Sequence, residues 1–225
     1  MYKRNVQAIL DIETNLAWDT VWCAGVYLPA TSTEVMCRTL EELYTALSGV
    51  DEGIGHNLIS FDLPVLERVW GFTWNRKATD TLVIGRLLDP SMLGGHSLWQ
   101  WALRAGKELK DDFPTSAFDL GYTEAMAAYC MQDCRANWDV YKYQQELGTA
   151  SSFSERSYDL EHRVRSLTNV QQDNGFMFDF SLGCRLHTEH NERMQEIKHE
   201  LQEVFPPIVE LRWSEKTGKP LKDKV

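Results

Sequence analysis

Residues 9–15, ILDIETN, end an apolar run with two carboxylates one residue apart, Asp11 and Glu13. On a β-strand alternate side chains share a face, so the two acids stand together with Ile9 while Val6, Ala8, Leu10 and Ile12 face the other way. Acids that close repel, and partial burial makes each harder to ionise, so something must compensate. The pair alone decides nothing: roughly one Asp-x-Glu is expected by chance in a chain of this size, and an exposed strand end is the plain alternative. More acids point the same way. Asn57 and Asp62 flank the end of a short strand at 53–57, and Tyr129 and Asp133 lie one turn apart on a long helix at 122–148. Asp133 and Asn137 fall on the apolar stripe of that helix with Met126, Cys130, Val140 and Tyr141, so Asp133 is either paired with an arginine or backbone amide or turned toward a ligand. Four carboxylates from three elements converge only around positive charge. An oxygen-only set favours a hard, octahedral ion, Mg²⁺ or Mn²⁺. Two such ions about 3.5–4 Å apart clamp the attacking and leaving oxygens of an in-line displacement at phosphorus. The expected chemistry is phosphodiester hydrolysis.

The elements that must position these acids are legible in the periodicity. Strands at 6–12, 20–28 and 33–38, separated by turn residues, predict an antiparallel meander. TLEELYTALSG (39–49) switches to helical spacing and stops at Gly49. After the strand at 53–57 comes a helix around 60–70, with Ser60 as cap and Pro64 in its first turn. Residues 78–88 read as a short strand and helix, and 94–106 as a helix closed by Gly106. The helix at 122–148 has Thr123 as cap and Gly148 as stop, and two further long helices cover 155–174 and 180–205 around GFMFD. The order predicts an α/β fold: a mixed sheet, antiparallel meander plus α/β units, flanked by helices. The Ser-rich stretch 148–157 reads as a linker, dividing residues 1–150 from a helical extension over 151–225.

Composition limits the alternatives. The chain has 225 residues, ample for a core without staples, and its five cysteines are odd in number and include no Cys-x-x-Cys pair, which disfavours a disulfide framework or structural zinc. Cys130 and Cys134 read as small apolar helix residues. The N-terminal apolar stretch is too short for a signal peptide and no segment approaches a bilayer span, so a reducing, cytoplasmic setting with no membrane partner is expected. A net charge of −10 disfavours nucleic acid by electrostatics alone, so a nucleic-acid reading needs a local source of positive charge. His187, His190 and His199 read as a solvated face, since His-Glu-x-x-His is absent. The eight tryptophans either stack on unpaired bases or, for the most part, fill the core.

DIET (11–14), GHNLISFD (55–62) and YCMQD (129–133) resemble the three motifs of the DnaQ-like 3′→5′ exonucleases, in the branch with Tyr in the third motif. The stretches 80–88, 94–113 and 159–179 are similar to corresponding segments of phage family A replicative DNA polymerases. The resemblance implies an RNase H-like fold and a proofreading-type, metal-dependent 3′→5′ DNA exonuclease that releases nucleoside monophosphates. It implies that Asp11 bridges two ions, Glu13 and Asp133 complete the first ion's site, Asp62 holds the second largely through water, and Tyr129 orients the attacking water. It further implies that Thr14, Leu16 and Asn57 contact DNA. The partners implied are a single-stranded or mismatched DNA 3′ end and a polymerase domain or subunit, in the host cytoplasm for a chain of phage origin. The metal pair answers the charge objection. A 3′→5′ exoribonuclease would use the same acids, and a catalytically silent DNA-binding or assembly module is a further alternative, though one expected to have lost some of them.

Overall fold

A computed structural model describes residues 5–107 and 113–206. Strands β1 (Gln7–Thr14), β2 (Val21–Leu28) and β3 (Thr33–Cys37) form the expected meander, followed by α1 (Leu40–Ala46), β4 (Glu52–Gly55), α2 (Asp62–Trp70), β5 (Lys77–Asp80) and α3 (Thr81–Leu88). Then come α4 (Leu98–Arg104), a 3₁₀ turn (Thr115–Leu120), α5 (Glu124–Ala150), α6 (Glu155–Asn174) and α7 (Phe180–Val204). The five-stranded sheet has the order β3-β2-β1-β4-β5. β2 is antiparallel to β1, while β4 and β5 run parallel to their neighbours. The carboxyl ends of β1, β4 and β5 therefore share one edge, the place where open α/β sheets hold ligands.

Both faces of β1 are covered. Ala8, Leu10 and Ile12 join Leu43 of α1 and Val65 and Leu66 of α2 in one core, and Ile9 packs on the opposite face with Ile54, Met131 and Cys134. Asp11 and Glu13 share that second face with Ile9, so the alternation aims both acids at α5. Helix α1 starts on a capping box between Thr39 and Glu42. Gly25 pairs with Asp11 across the sheet, and a Cβ there would meet Cys130 Sγ at 2.9 Å and Cys134 Sγ at 3.1 Å. Its missing side chain lets α5 approach beside Asp11.

Three sequence expectations are corrected. Ser60 does not cap α2: the helix begins at Asp62 with Phe61 at the cap position and no side-chain cap bond. Ser60 instead donates to Asn169 Oδ1 of α6 at 3.0 Å, a tertiary bond that a local cap pattern does not encode. The helix expected at 94–106 is shorter, capped by Ser97, because Gly94 and Gly95 take positive φ. Gly148 does not stop α5, which continues to Ala150. Gly148 is buried against α6, where a Cβ would lie 1.8 Å from the Tyr158 hydroxyl. Gly148→Ala therefore sets a helix-propensity gain of about 1 kcal/mol against displacement of a buried ring. Overpacking wins, and we expect a net loss of about 1–3 kcal/mol in chemical denaturation. The Tyr158 hydroxyl has no hydrogen-bond partner among the described residues, so adding Tyr158→Phe should recover most of that loss; a Gly148→Ala protein as stable as the parent would contradict the close contact.

The described residues divide into two compact units, with the break between Asn174 and Gly175. Helix α6 belongs to the first. In the second, α7 is capped by Asp179, whose carboxylate accepts from Leu182 N at 2.8 Å, and all its residues but Gly183 are exposed, His187, His190 and His199 among them. No helix among the described residues is long and apolar enough to cross a membrane.

Candidate active site

Asp11 and Glu13 reach the carboxyl edge because β1 outruns its parallel neighbour: pairing with β4 covers only Gln7–Ile9. Beyond it, Ile12 N donates to Asp62 Oδ1 at 3.2 Å, so the first residue of α2 takes over where β4 has ended. A register irregularity between Glu13 and Thr14 marks the strand's exit. Across the second face, α5 supplies Asp133 and Tyr129, whose hydroxyl hydrogen-bonds the Asp133 carboxylate. Phe113 packs on the Tyr129 ring, centroids 5.7 Å apart.

The electrostatics show that these five side chains occupy one place. Burial, then the charges of Glu13 and the Cys134 thiol, then Asp62 and Asp133, push Asp11 well above the usual carboxylate range. Glu13, only 6% exposed, is pushed up to about 9 by burial, with Cys23, Asp133 and Asp62 adding to it. Burial raises Asp62 to about 7 against the backbone hydrogen bonds it accepts, and raises Asp133 to about 6 against the Tyr129 hydrogen bond. Tyr129 is itself pushed up, by burial and then by Asp133, Glu13 and Asp11. Among the described residues no lysine or arginine forms an ion pair with any of the four acids. Buried carboxylates held together without a cation fit a divalent metal ion, which would replace mutual repulsion by attraction. Ligand atoms of Asp11, Glu13 and Cys130 lie within 4.8 Å of one another.

The other predicted site residues lie around this cluster. Thr14 is buried at the end of β1, its hydroxyl donating to Asn15 O at 2.9 Å. Leu16 is exposed, with its N–H donating to Asp119 at 2.9 Å, and Trp18 is exposed beside it with its ring edge-on to Phe61. Asn57 sits in the loop after β4 at a φ of 67°, a left-handed conformation that Asn tolerates better than most residues. Asn137, expected on the apolar stripe, accepts from Thr81 Oγ1 at 2.7 Å and ties α5 to α3.

Two features escaped sequence reasoning. Asp80, fully buried at the end of β5, caps α3 through Leu82 N at 2.9 Å and also accepts from Asn57 N at 2.9 Å and Ile59 N at 3.0 Å. An Asp before an apolar helix run signals the cap; holding the neighbouring loop depends on the β4–β5 pairing. Cys130 lies fully buried under the acids and donates to Asp11 O at 3.5 Å. Its place on the stripe predicted burial but not which strand it meets.

The mixed sheet flanked by helices is an RNase H-like fold. NrnC of Brucella melitensis superposes with a TM-score of 0.60 over 79% of this chain and 92% of its own, at 14% identity. Escherichia coli RNase D gives 0.52 over 71% and 45%, and the family B DNA polymerase of Pyrobaculum calidifontis 0.53 over 63% and 24%, each at 14% identity.

In sequence, the chain is homologous to the DNA-directed DNA polymerases of Escherichia phage T7 and Enterobacteria phage T3, at 26% identity over 74% of its length. It spans about a third of those relatives, 32% of each. No protein-family model matches.

Proposed function

We propose that this chain is a metal-dependent 3′→5′ DNA exonuclease of the proofreading type that releases nucleoside monophosphates, part of or partner to a phage family A DNA polymerase. The observation that carries this reading is the convergence of Asp11, Glu13, Asp62 and Asp133 with Tyr129 at the carboxyl edge of the sheet, without a lysine or arginine ion pair to balance them among the described residues. The homology to phage DNA polymerases and the exonuclease fold support it. The catalytic domain expected over 1–150 takes in α6 as well, since the compact unit that holds the acids runs to Asn174, and the helical extension toward a polymerase domain begins at Gly175 rather than at 151.

Asp11, Glu13, Asp62 and Asp133 would hold two Mg²⁺ or Mn²⁺ ions. Such ions supply positive charge at the scissile phosphate, favour ionised water and stabilise the departing 3′-oxygen. Thr14, Leu16 and Asn57 bind the last nucleotides of a single-stranded or mismatched 3′ end. Tyr129 positions the attacking water through a hydroxyl already oriented by Asp133. Because the protein contributes mainly placement, each carboxylate acts by holding charge where the displacement needs it. Matched DNA and RNA oligomers with 3′ single strands, incubated with the chain and Mg²⁺ or Mn²⁺ and sized, test the reading. Mononucleotides from DNA are expected; mononucleotides from RNA alone would make it an exoribonuclease, and intact strands of both would make it a silent module.

A further inference from the structure

Helix α6 lies outside the three acidic motifs, yet one of its faces reaches the loop that delivers two site residues. The loop between β4 and α2, residues 56–61, carries Asn57 and leads directly into Asp62. Local backbone turns close it, Ser60 N and Phe61 N donating to Asn57 O at 3.1 and 2.9 Å, but Asn57 is left-handed and α2 starts without a side-chain cap. Further polar groups of the loop are satisfied from outside. Asp80 accepts from Asn57 N and Ile59 N, and Asp80 N donates to His162 Nε2 of α6 at 2.8 Å. Asn169 Nδ2 donates to Ile59 O at 3.0 Å, Ser60 Oγ donates to Asn169 Oδ1 at 3.0 Å, and Arg165 Nε donates to Ser60 Oγ. His162, Arg165 and Asn169 are spaced three and four residues apart, one face of the helix. His162 is in turn held by its own helix, its Nδ1 2.6 Å from Tyr158 O.

We infer that the His162–Arg165–Asn169 face of α6 is a positioning element of the nuclease site, clamping residues 57–61 and through them Asn57 and Asp62; this rests on the nuclease reading above. The clamp acts on both sides of the loop, directly at Ile59 and Ser60 and indirectly through Asp80. Asp62 accepts from Ile12 N and from its own backbone N–H while facing Asp11 and Glu13, so its placement follows that of the residues 57–61 that lead into it. Groups that orient metal ligands typically change metal affinity 10–100-fold when removed. The clamp should therefore appear in the metal dependence, whereas a helix that only stabilises the fold would lower the melting temperature and leave metal affinity alone.

The test uses the full chain, with Asn169→Ala and with Asn169→Leu, which keeps most of the side-chain volume and removes both its donor to Ile59 O and its acceptor for Ser60 Oγ without adding charge. Mn²⁺ binding is read without DNA from the free-ion paramagnetic resonance signal, and single-turnover hydrolysis of a 3′-single-stranded DNA is followed against Mn²⁺ concentration. We expect both variants to raise the half-saturating Mn²⁺ concentration about 10–100-fold, with melting temperatures near the parent's and most of the rate recovered at saturating Mn²⁺. Arg163→Ala, on the exposed side of α6, should behave as the parent. Parent-like Mn²⁺ binding and rate in the Asn169 variants, or a rate loss that only follows lost stability, would overturn the clamp while leaving the nuclease reading intact. A parent chain that neither binds Mn²⁺ nor hydrolyses DNA would overturn both.

Discussion

Replacing Asp11 and Glu13 together by alanine should abolish DNA hydrolysis while leaving the metal-free fold at least as stable as the parent. The two outcomes share a cause. Both carboxylates are forced into a buried cluster with Asp62 and Asp133, where each raises the others' affinity for protons. Glu13 rises from 4.5 to about 9 and Asp62 from 3.8 to about 7, so between those limits the folded chain binds more protons than the unfolded one. Stability from these groups is fully present below the unfolded values and is lost as pH climbs through about 7 and on to about 9. The metal-free parent should therefore melt at falling temperature across that range. The double variant should show a flatter profile, and Mn²⁺ should restore the parent at high pH but not the variant. A double variant that still degrades DNA at the parent rate, in a nuclease-free preparation, would remove the metal-site assignment.

Tyr129→Phe should lower the single-turnover rate by roughly ten- to a thousandfold, the loss of one positioned catalytic contact, with little change in metal or DNA affinity. The substitution keeps the ring that packs on Phe113 and deletes only the hydroxyl that hydrogen-bonds Asp133. Packing should survive, which a melting curve checks. Single-turnover conditions matter because slow product release would hide a change in the chemical step. An unchanged rate would leave Tyr129 as a packing residue.

The acids were legible because their placement follows from local period. Alternation along β1 puts Asp11 and Glu13 on one face, and helical spacing puts Tyr129 one turn from Asp133 on the α5 stripe. The meander was legible for the same reason. What escaped depends on contacts between elements distant in sequence. Gly148 looks like a helix stop until Tyr158 is seen against it, and Ser60 looks like a cap until Asn169 claims its hydroxyl. Asp80 is recognisable as a cap for α3, but its hold on Asn57 and Ile59 exists only because β5 lies beside β4. Gly25 carries no signal of its own, and its role follows from pairing opposite Asp11 under α5.

The central claim is that the acidic cluster removes nucleotides from a 3′ end. It is tested most directly by digesting a DNA strand labelled at its 5′ terminus, with a 3′ single-stranded or mismatched end, in the presence of Mg²⁺ or Mn²⁺. Frayed ends should be preferred, since a mismatch lowers the cost of separating the terminal nucleotides. The account predicts a ladder of labelled products descending one nucleotide at a time, present with the parent chain and absent with the Asp11/Glu13 double variant. A labelled mononucleotide as the first product would mean attack from the 5′ end and would contradict it.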